Sequence, residues 1–249
     1  MKAYRVAASL AALLVCVAPS VSRAAQGDDQ VAAVLAASKA ALGGSAIASV
    51  TGLQTTSTIN FGGLTGTDVS WQAVGRPLSS ESYDTPPVKG GDGYDGTDVW
   101  NSDGSGLVWV DGGDAGRSAT IGGDFLSSYS LWAPNNGGAT VRWGGTQTAD
   151  GKTYDVLSVT APNSQIPMQV WFDQTTHLPA RSVQTIGPIV STSTYGDWRP
   201  VNGLQVPYSI HSDSSDGNST VVTINSAVAN PPGLDAHLQK PASNVHDFS

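Results

Sequence analysis

The sequence predicts a mainly β fold: an antiparallel meander of about 11–12 strands curling into an incomplete, half-closed β-barrel, with one or two helices on its concave side. Three observations predict it. Of the acidic residues, 19 are Asp and only Glu81 is Glu; Asp favours turns and helix starts, whereas Glu favours helix interiors. The 29 glycines and the many Thr, Ser and Val residues suit strands joined by tight turns. From residue 139 onward, turn signals recur roughly every dozen residues and separate seven strand-like runs, as in sequential hairpins.

The chain opens with Lys2 and Arg5 and no acidic residue, followed by an apolar run from Val6 to about Ala18. Ser22 and Ala24 stand at the −3 and −1 positions of a signal-peptidase site. This is the pattern of a cleavable secretory signal peptide over residues 1–24, cut after Ala24, and it predicts a periplasmic or secreted protein. The alternative is an uncleaved anchor helix, but the apolar core is shorter than the roughly 20 residues of a membrane span. No stable membrane insertion is expected. Cys16 follows Leu13-Leu14-Val15, and branched Val15 is wrong for a lipoprotein cut, so Cys16 reads as part of the apolar core.

Removing those 24 of 249 residues leaves 225, enough to bury a real core. It also removes three basic residues and leaves 9 Lys+Arg against 20 Asp+Glu, a net charge near −11. Such a surface repels nucleic acid and anionic headgroups but does not exclude an apolar chain held inside a cavity. The remaining chain has no cysteine, so no disulfide holds it together.

A helix comes first. Asp28-Asp29 can cap it, Val31, Val34, Leu35, Ser38, Ala41 and Leu42 recur at helical spacing, and Gly43-Gly44 ends it. Strands are predicted over 50–59, 67–74, 78–83, 98–101 and 107–110. A second helix is predicted over 119–132, where Ile121, Phe125, Tyr129 and Trp132 share one face. The later strands are predicted over 140–148, 152–160, 168–173, 178–185, 189–197, 204–212 and 219–225. One domain is expected over 25–232, with 233–249 a C-terminal tail or the start of a linker.

The chemical motifs are incomplete. Neither Asp-Thr-Gly nor Asp-Ser-Gly occurs, nor a Gly-x-Ser-x-Gly elbow, nor His-Glu-x-x-His. His177, His211, His237 and His246 lie far apart in sequence. Asp92, Asp95, Asp98 and Asp103 lie among glycines, which suits either a calcium loop or plain turns, but the EF-hand order is missing. No metal or cofactor is expected, and no catalytic residue can be named. All seven tryptophans follow residue 24, and tryptophan can line an apolar cavity. The candidate ligand-binding residues are Trp71, Trp100, Trp109, Ile121, Phe125, Tyr129 and Trp132.

Four phrases carry a resemblance: Gly93-Tyr94-Asp95-Gly96-Thr97-Asp98-Val99-Trp100, Tyr154-Asp155-Val156-Leu157, Trp171-Phe172-Asp173-Gln174-Thr175-Thr176-His177-Leu178-Pro179-Ala180-Arg181, and Tyr195-Gly196-Asp197-Trp198-Arg199-Pro200-Val201-Asn202-Gly203-Leu204-Gln205-Val206-Pro207. They resemble the N-terminal region of exported bacterial retropepsin-like aspartyl proteases, which is similar to the lipoprotein-carrier half-barrel of the LolA/LolB/LppX type. The resemblance covers nearly all of 27–249 and implies a binding domain for an apolar or lipid-like ligand. In the longer relatives a C-terminal protease domain follows the matched region. Its Asp-Thr-Gly loop is not in this chain, so aspartic endopeptidase activity is not expected of the chain alone. Two expectations follow, a stand-alone carrier-like domain or the accessory region of a truncated protease.

Overall fold

The computed structural model describes residues 21–243. Helix α1 (Val21–Ala41) is followed by the short α2 (Ala46–Ser49). A first meander comprises β1 (Gly52–Phe61), β2 (Leu64–Ala73), β3 (Ser79–Thr85), β4 (Val88–Tyr94), β5 (Val99–Asp103) and β6 (Val108–Val110). Helix α3 (Asp114–Ser127) and two 3-10 turns, Ser130–Trp132 and Pro134–Gly138, then separate it from a second meander. That one comprises β7 (Thr140–Ala149), β8 (Lys152–Thr160), β9 (Met168–Asp173), β10 (Pro179–Ile186), β11 (Ile189–Val201), β12 (Leu204–Ser214) and β13 (Ser219–Ala229), and α4 (Leu234–His237) follows.

All 13 strands form one antiparallel sheet, ordered β6-β5-β4-β3-β2-β1-β13-β12-β11-β10-β9-β8-β7. Each meander folds strand by strand, and the pairing of β1 with β13 joins the two. β6 and β7 remain as opposite edges, so the sheet is an open, incomplete barrel of the predicted kind. The core lies on the inner face, where Leu53, Tyr94, Leu157, Val170, Phe172 and Leu204 meet buried side chains of α1 and α3. In α1 the predicted stripe is the buried one: Val31, Leu35, Ser38 and Leu42 face inward and Val34 is half-buried.

All twelve predicted strand segments form strands, and β4 is the thirteenth. Its sequence, Val88-Lys89-Gly90-Gly91-Asp92-Gly93-Tyr94, reads locally as a turn. The strand forms because its neighbours approach too closely for side chains. A Cβ at Gly91 would lie 2.4 Å from the Glu81 carbonyl oxygen, and one at Gly93 would lie 2.4 Å from that of Ser79. Glycine in a strand marks such an approach.

Both helices differ from prediction at their ends. α1 runs through Asp28-Asp29, so these residues do not cap it, and helix-compatible Ala24 and Ala25 continue it in the N-terminal direction. The predicted cut after Ala24 falls within the span of α1, while residues 1–20 of the predicted signal lie outside the described residues. The glycine stop is as predicted: Gly44 N–H donates to Lys39 O at 2.8 Å and Gly43 N–H to Ala40 O at 3.2 Å. The second helix occupies 114–127 and not 119–132, because Tyr129 adopts a left-handed φ of 58° that interrupts the helical hydrogen bonds.

Beyond Pro232 the chain packs back on the outer face. Leu234 and Leu238 are buried against Ala73, with Trp71 and Leu78 alongside. Arg76 pairs with Asp235 at 3.2 Å, and Lys240 pairs with Asp98. Residues 244–249 of the predicted tail lie outside the described residues.

The close approach at β4 is testable. Gly91→Ala is expected to destabilise the protein by roughly 1–3 kcal/mol, the range for overpacking. Gly196→Ala has nothing within 4 Å of its new Cβ and should change stability by less than about 1 kcal/mol. Urea midpoints of the two variants check this, and equal effects would refute the crowding argument.

Candidate functional site

A cavity of about 250 Å³ lies between the inner face of the sheet and the α3 segment. Its two ends differ in chemistry. At one end Val206 and Ile210 of β12, Val222 and Ile224 of β13, and Tyr195 and Trp198 of β11 present apolar surface. Leu42, Leu53 and Leu126 extend it. At the other end stand Asp68 of β2, Glu81 of β3, Asp92 of β4 and Asp124 of α3. Ser57, Ser70 and Ser79 lie among them, and the Gln72 amide donates to the Ser127 hydroxyl across the β2–α3 gap.

Strand register produces this division. Ser57 of β1 pairs with Ile224 of β13 on one side and with Asp68 of β2 on the other. Glu81 pairs with Ser70 and with Asp92. The polarity of the inner face therefore changes between β13 and β1, at the irregularity between Thr56 and Ser57. Such bulges re-aim side chains. On β11, Asp197 at φ 51° interrupts the two-residue alternation, and both Tyr195 and Trp198 line the cavity.

The carboxylates are poorly compensated. Asp68 is 4% exposed, and neither its Oδ1 nor Ser57 Oγ nor Asp124 Oδ2 has a hydrogen-bond partner among the described residues. No Lys, Arg or His among the described residues lines the cavity. Burial pushes the Asp68 carboxyl up to about 6, with the Asp92 charge adding to the rise and the nearby Ser57 hydroxyl opposing it. Burial alone pushes Asp92 up to about 6. It pushes Asp124 up to about 7, against the Ser79 hydroxyl and with the Asp92 charge. Glu81 is raised well above the usual carboxylate range, first by burial and then by Asp92, Asp68 and Asp124. Like charges this close cannot all ionise cheaply, so the cluster holds protons near neutral pH.

Of the seven predicted ligand residues, the structure brings two to the cavity, Tyr129 and Trp132. Tyr129 OH donates to Gln205 O at 2.7 Å, and Lys39 Nζ donates to Trp132 O at 2.9 Å, which ties this segment to β12 and α1. Ile121 and Phe125 are packed in the core behind it. Trp71 and Trp100 are on the outer face, because Trp71 alternates with the inward Ser70 and Gln72, and Trp100 pairs with Gly93 next to the inward Asp92. Trp71 stacks on His237 of α4, with ring centroids 3.7 Å apart. Trp109 lies on edge strand β6 and is 45% exposed.

Sequence reading missed the acidic end. Asp was read as turn chemistry, yet Asp68 and Glu81 fall inside predicted strands, and a carboxylate in mid-strand was the available signal. The Asp92, Asp95, Asp98 and Asp103 stretch does not converge. Asp92 faces inward, Asp95 Oδ1 accepts from the Thr97 and Asp98 N–H groups at 2.8 Å, and Asp103 Oδ1 accepts from Ser105 N–H at 2.9 Å. Among the described residues no three His, Cys, Asp or Glu side chains form a metal-binding group, and no helix is long and apolar enough to cross a membrane.

An open antiparallel half-barrel with helices on its inner face defines the LolA-like fold, and solved structures share it. A DUF1329 family protein from Desulfovibrio piger is 16% identical, with a TM-score of 0.57 over 84% of this chain and 97% of that one. A LolA superfamily protein from Nitrosomonas europaea is 14% identical, with a TM-score of 0.56 over 84% and 97%. An outer membrane lipoprotein-sorting protein domain from Vibrio parahaemolyticus is 12% identical, with a TM-score of 0.56 over 84% and 94%. No protein-family model and no curated protein matches the sequence.

Two predictions follow from this geometry. The raised carboxyls bind more protons folded than unfolded, so their contribution to stability is fully present below about pH 4, the unfolded value, and is lost as pH rises through the folded values of about 6–7. Asp68→Asn should flatten that fall and raise Tm at pH 8 by about 2–8 °C, or roughly 1–2 kcal/mol. Thermal melts between pH 4.5 and 8 measure both, and a lower Tm for the variant at pH 8 would contradict the burial argument. Tyr129→Phe deprives Gln205 O of its donor and should cost about 1–2 kcal/mol in a urea titration.

Proposed function

We propose that the protein is a non-catalytic, periplasmic binding domain that holds an apolar or lipid-like ligand in the inner cavity. The observation that carries this reading is the apolar end of that cavity, where Val206, Ile210, Val222 and Ile224 line space that the protein's own side chains leave open. Burial supplies the affinity: each methylene removed from water contributes about 0.8 kcal/mol. The cavity is slightly smaller than the roughly 300 Å³ at which small-molecule sites begin, so it fits a single aliphatic chain better than a bulky multi-chain lipid. The LolA-like fold, shared with a Vibrio domain described as lipoprotein-sorting, supports the class of ligand. The predicted signal peptide supports export, and its cleavage is checked by N-terminal sequencing of the exported protein.

A second reading, the accessory region of an exported aspartyl protease, is favoured by the four strand-and-turn phrases that resemble such proteins. Coding DNA that continues beyond Ser249 into an Asp-Thr-Gly segment would support it.

Binding is read through Trp132 and Trp198, both of which line the cavity. Adding octanol to the purified protein should change tryptophan emission saturably. Val222→Trp fills the apolar end and should weaken that binding at least tenfold, while the fold, checked by circular dichroism, is kept. Unchanged binding in Val222→Trp would place the ligand elsewhere.

A further inference from the structure

The acidic end of the cavity is not needed to hold an apolar chain, and burying it is costly. Four carboxyl groups from β2, β3, β4 and α3 share one wall. Folding takes them out of water without providing a cation, since no basic side chain among the described residues lines the cavity. Buried carboxylates are ordinarily paired or hydrogen-bonded. Here Asp68, at 4% exposure, leaves Oδ1 without a partner, and Ser57, at 1% exposure, leaves its hydroxyl without one. Asp124 Oδ2 is a third such acceptor. Asp68, Ser57 and Asp124 line the cavity, so a cationic head bound there would lie against carboxyl groups that the protein itself leaves without a basic partner.

Two features narrow the ligand. The carboxyl groups do not form a metal-binding group, which argues against a chelated ion and for a head that donates several hydrogen bonds. The apolar wall of β12 and β13 begins directly across β1, because Ser57 and Ile224 are cross-strand partners. A head placed among Asp68, Glu81 and Asp92 therefore has its tail beside Ile224, Val222 and Ile210.

Resting on the binding function proposed above, we propose that the cavity selects an amphiphile with a primary ammonium head on an aliphatic chain. The ammonium sits among Asp68, Glu81, Asp92 and Asp124, and the chain lies against β12 and β13. An ammonium group has three donors and no acceptor, which suits a wall of four carboxyl groups with no basic side chain among them. A carboxylate head would meet like charge, and a hydroxyl head would leave most acceptors unmet. Tyr83, whose hydroxyl is raised by burial and by the Asp92 and Glu81 charges, is the other titratable group that senses the cluster. Bringing in the cation favours ionised carboxylates, so binding expels protons from the cluster.

Three probes with one chain separate the terms: octylammonium, octanol and octanoate, each titrated calorimetrically into the protein at pH 7 in two buffers of different ionisation enthalpy. Octylammonium is expected to bind at least tenfold more tightly than either other probe and to release protons. The double variant Asp68→Asn with Asp92→Asn should lose that preference yet bind octanol as before. Equal or tighter binding of octanoate, or an unchanged ammonium preference in the variant, would overturn the proposal. If octanol binds and octylammonium has no advantage, the head-group inference alone falls. If none of the three binds, the cavity-binding function falls with it.

Discussion

The pairing of the first strand with the last is the interaction on which the rest depends. β1 and β13 exchange backbone hydrogen bonds along most of their length and so join two meanders into one sheet. Without it, β2–β4 and β11–β12 would belong to separate sheets, each with an exposed edge. With it, the acidic wall and the apolar wall become neighbours. The irregularity between Thr56 and Ser57 lies on this seam, and Asn225, skipped by the register there, donates from its side chain to Thr58 Oγ1 at 3.0 Å. The seam thus aligns the walls and also carries the change in polarity.

The helical layer rests on the concave face through a small number of specific contacts. Tyr129 is held at positive φ, which a bulky residue tolerates only when its surroundings over-determine it. Its hydroxyl reaches β12, and the 3-10 turn that follows places Trp132 at the cavity and edge-on to Phe172. Gly122 of α3 comes so near Gln184 that a Cβ would lie 2.5 Å from Nε2, so α3 approaches β10 closely. The outer face is covered in part by the chain beyond Pro232, through Leu234, Leu238 and the His237–Trp71 stack. A segment that reads as a tail is thereby part of the packed structure.

Strands with Thr, Val and Ser in alternation, bounded by Asp-Gly or Asn-Gly turns, were readable because both signals are local. The phrase from Trp171 to Arg181 shows why: Asp173 Oδ1 accepts from the Thr175 and Thr176 N–H groups and makes the turn from its own neighbours. β4 was not readable, since its glycines answer to strands β3 and β5 and not to a turn. Tyr129 and Trp132, which helical spacing put on a face with Phe125, do lie at the inner cavity. Trp71 and Trp100 lie on the outer face, away from the inner cavity, because side-chain type does not reveal which face of a strand is inner.

The β class, the meander and the positions of most turns follow from residues near one another in sequence, where propensity, capping and period-two alternation act. The predicted export signal is read in the same way, since it rests on charge, apolar length and small residues within a single short stretch. Which strands meet across the seam, which face is concave and which carboxyls share one wall depend on contacts between distant segments. Asp68, Glu81, Asp92 and Asp124 are ordinary residues on four separate elements. Closure of β1 onto β13 and the docking of α3 bury them together, and scattered carboxyls come to line one cavity.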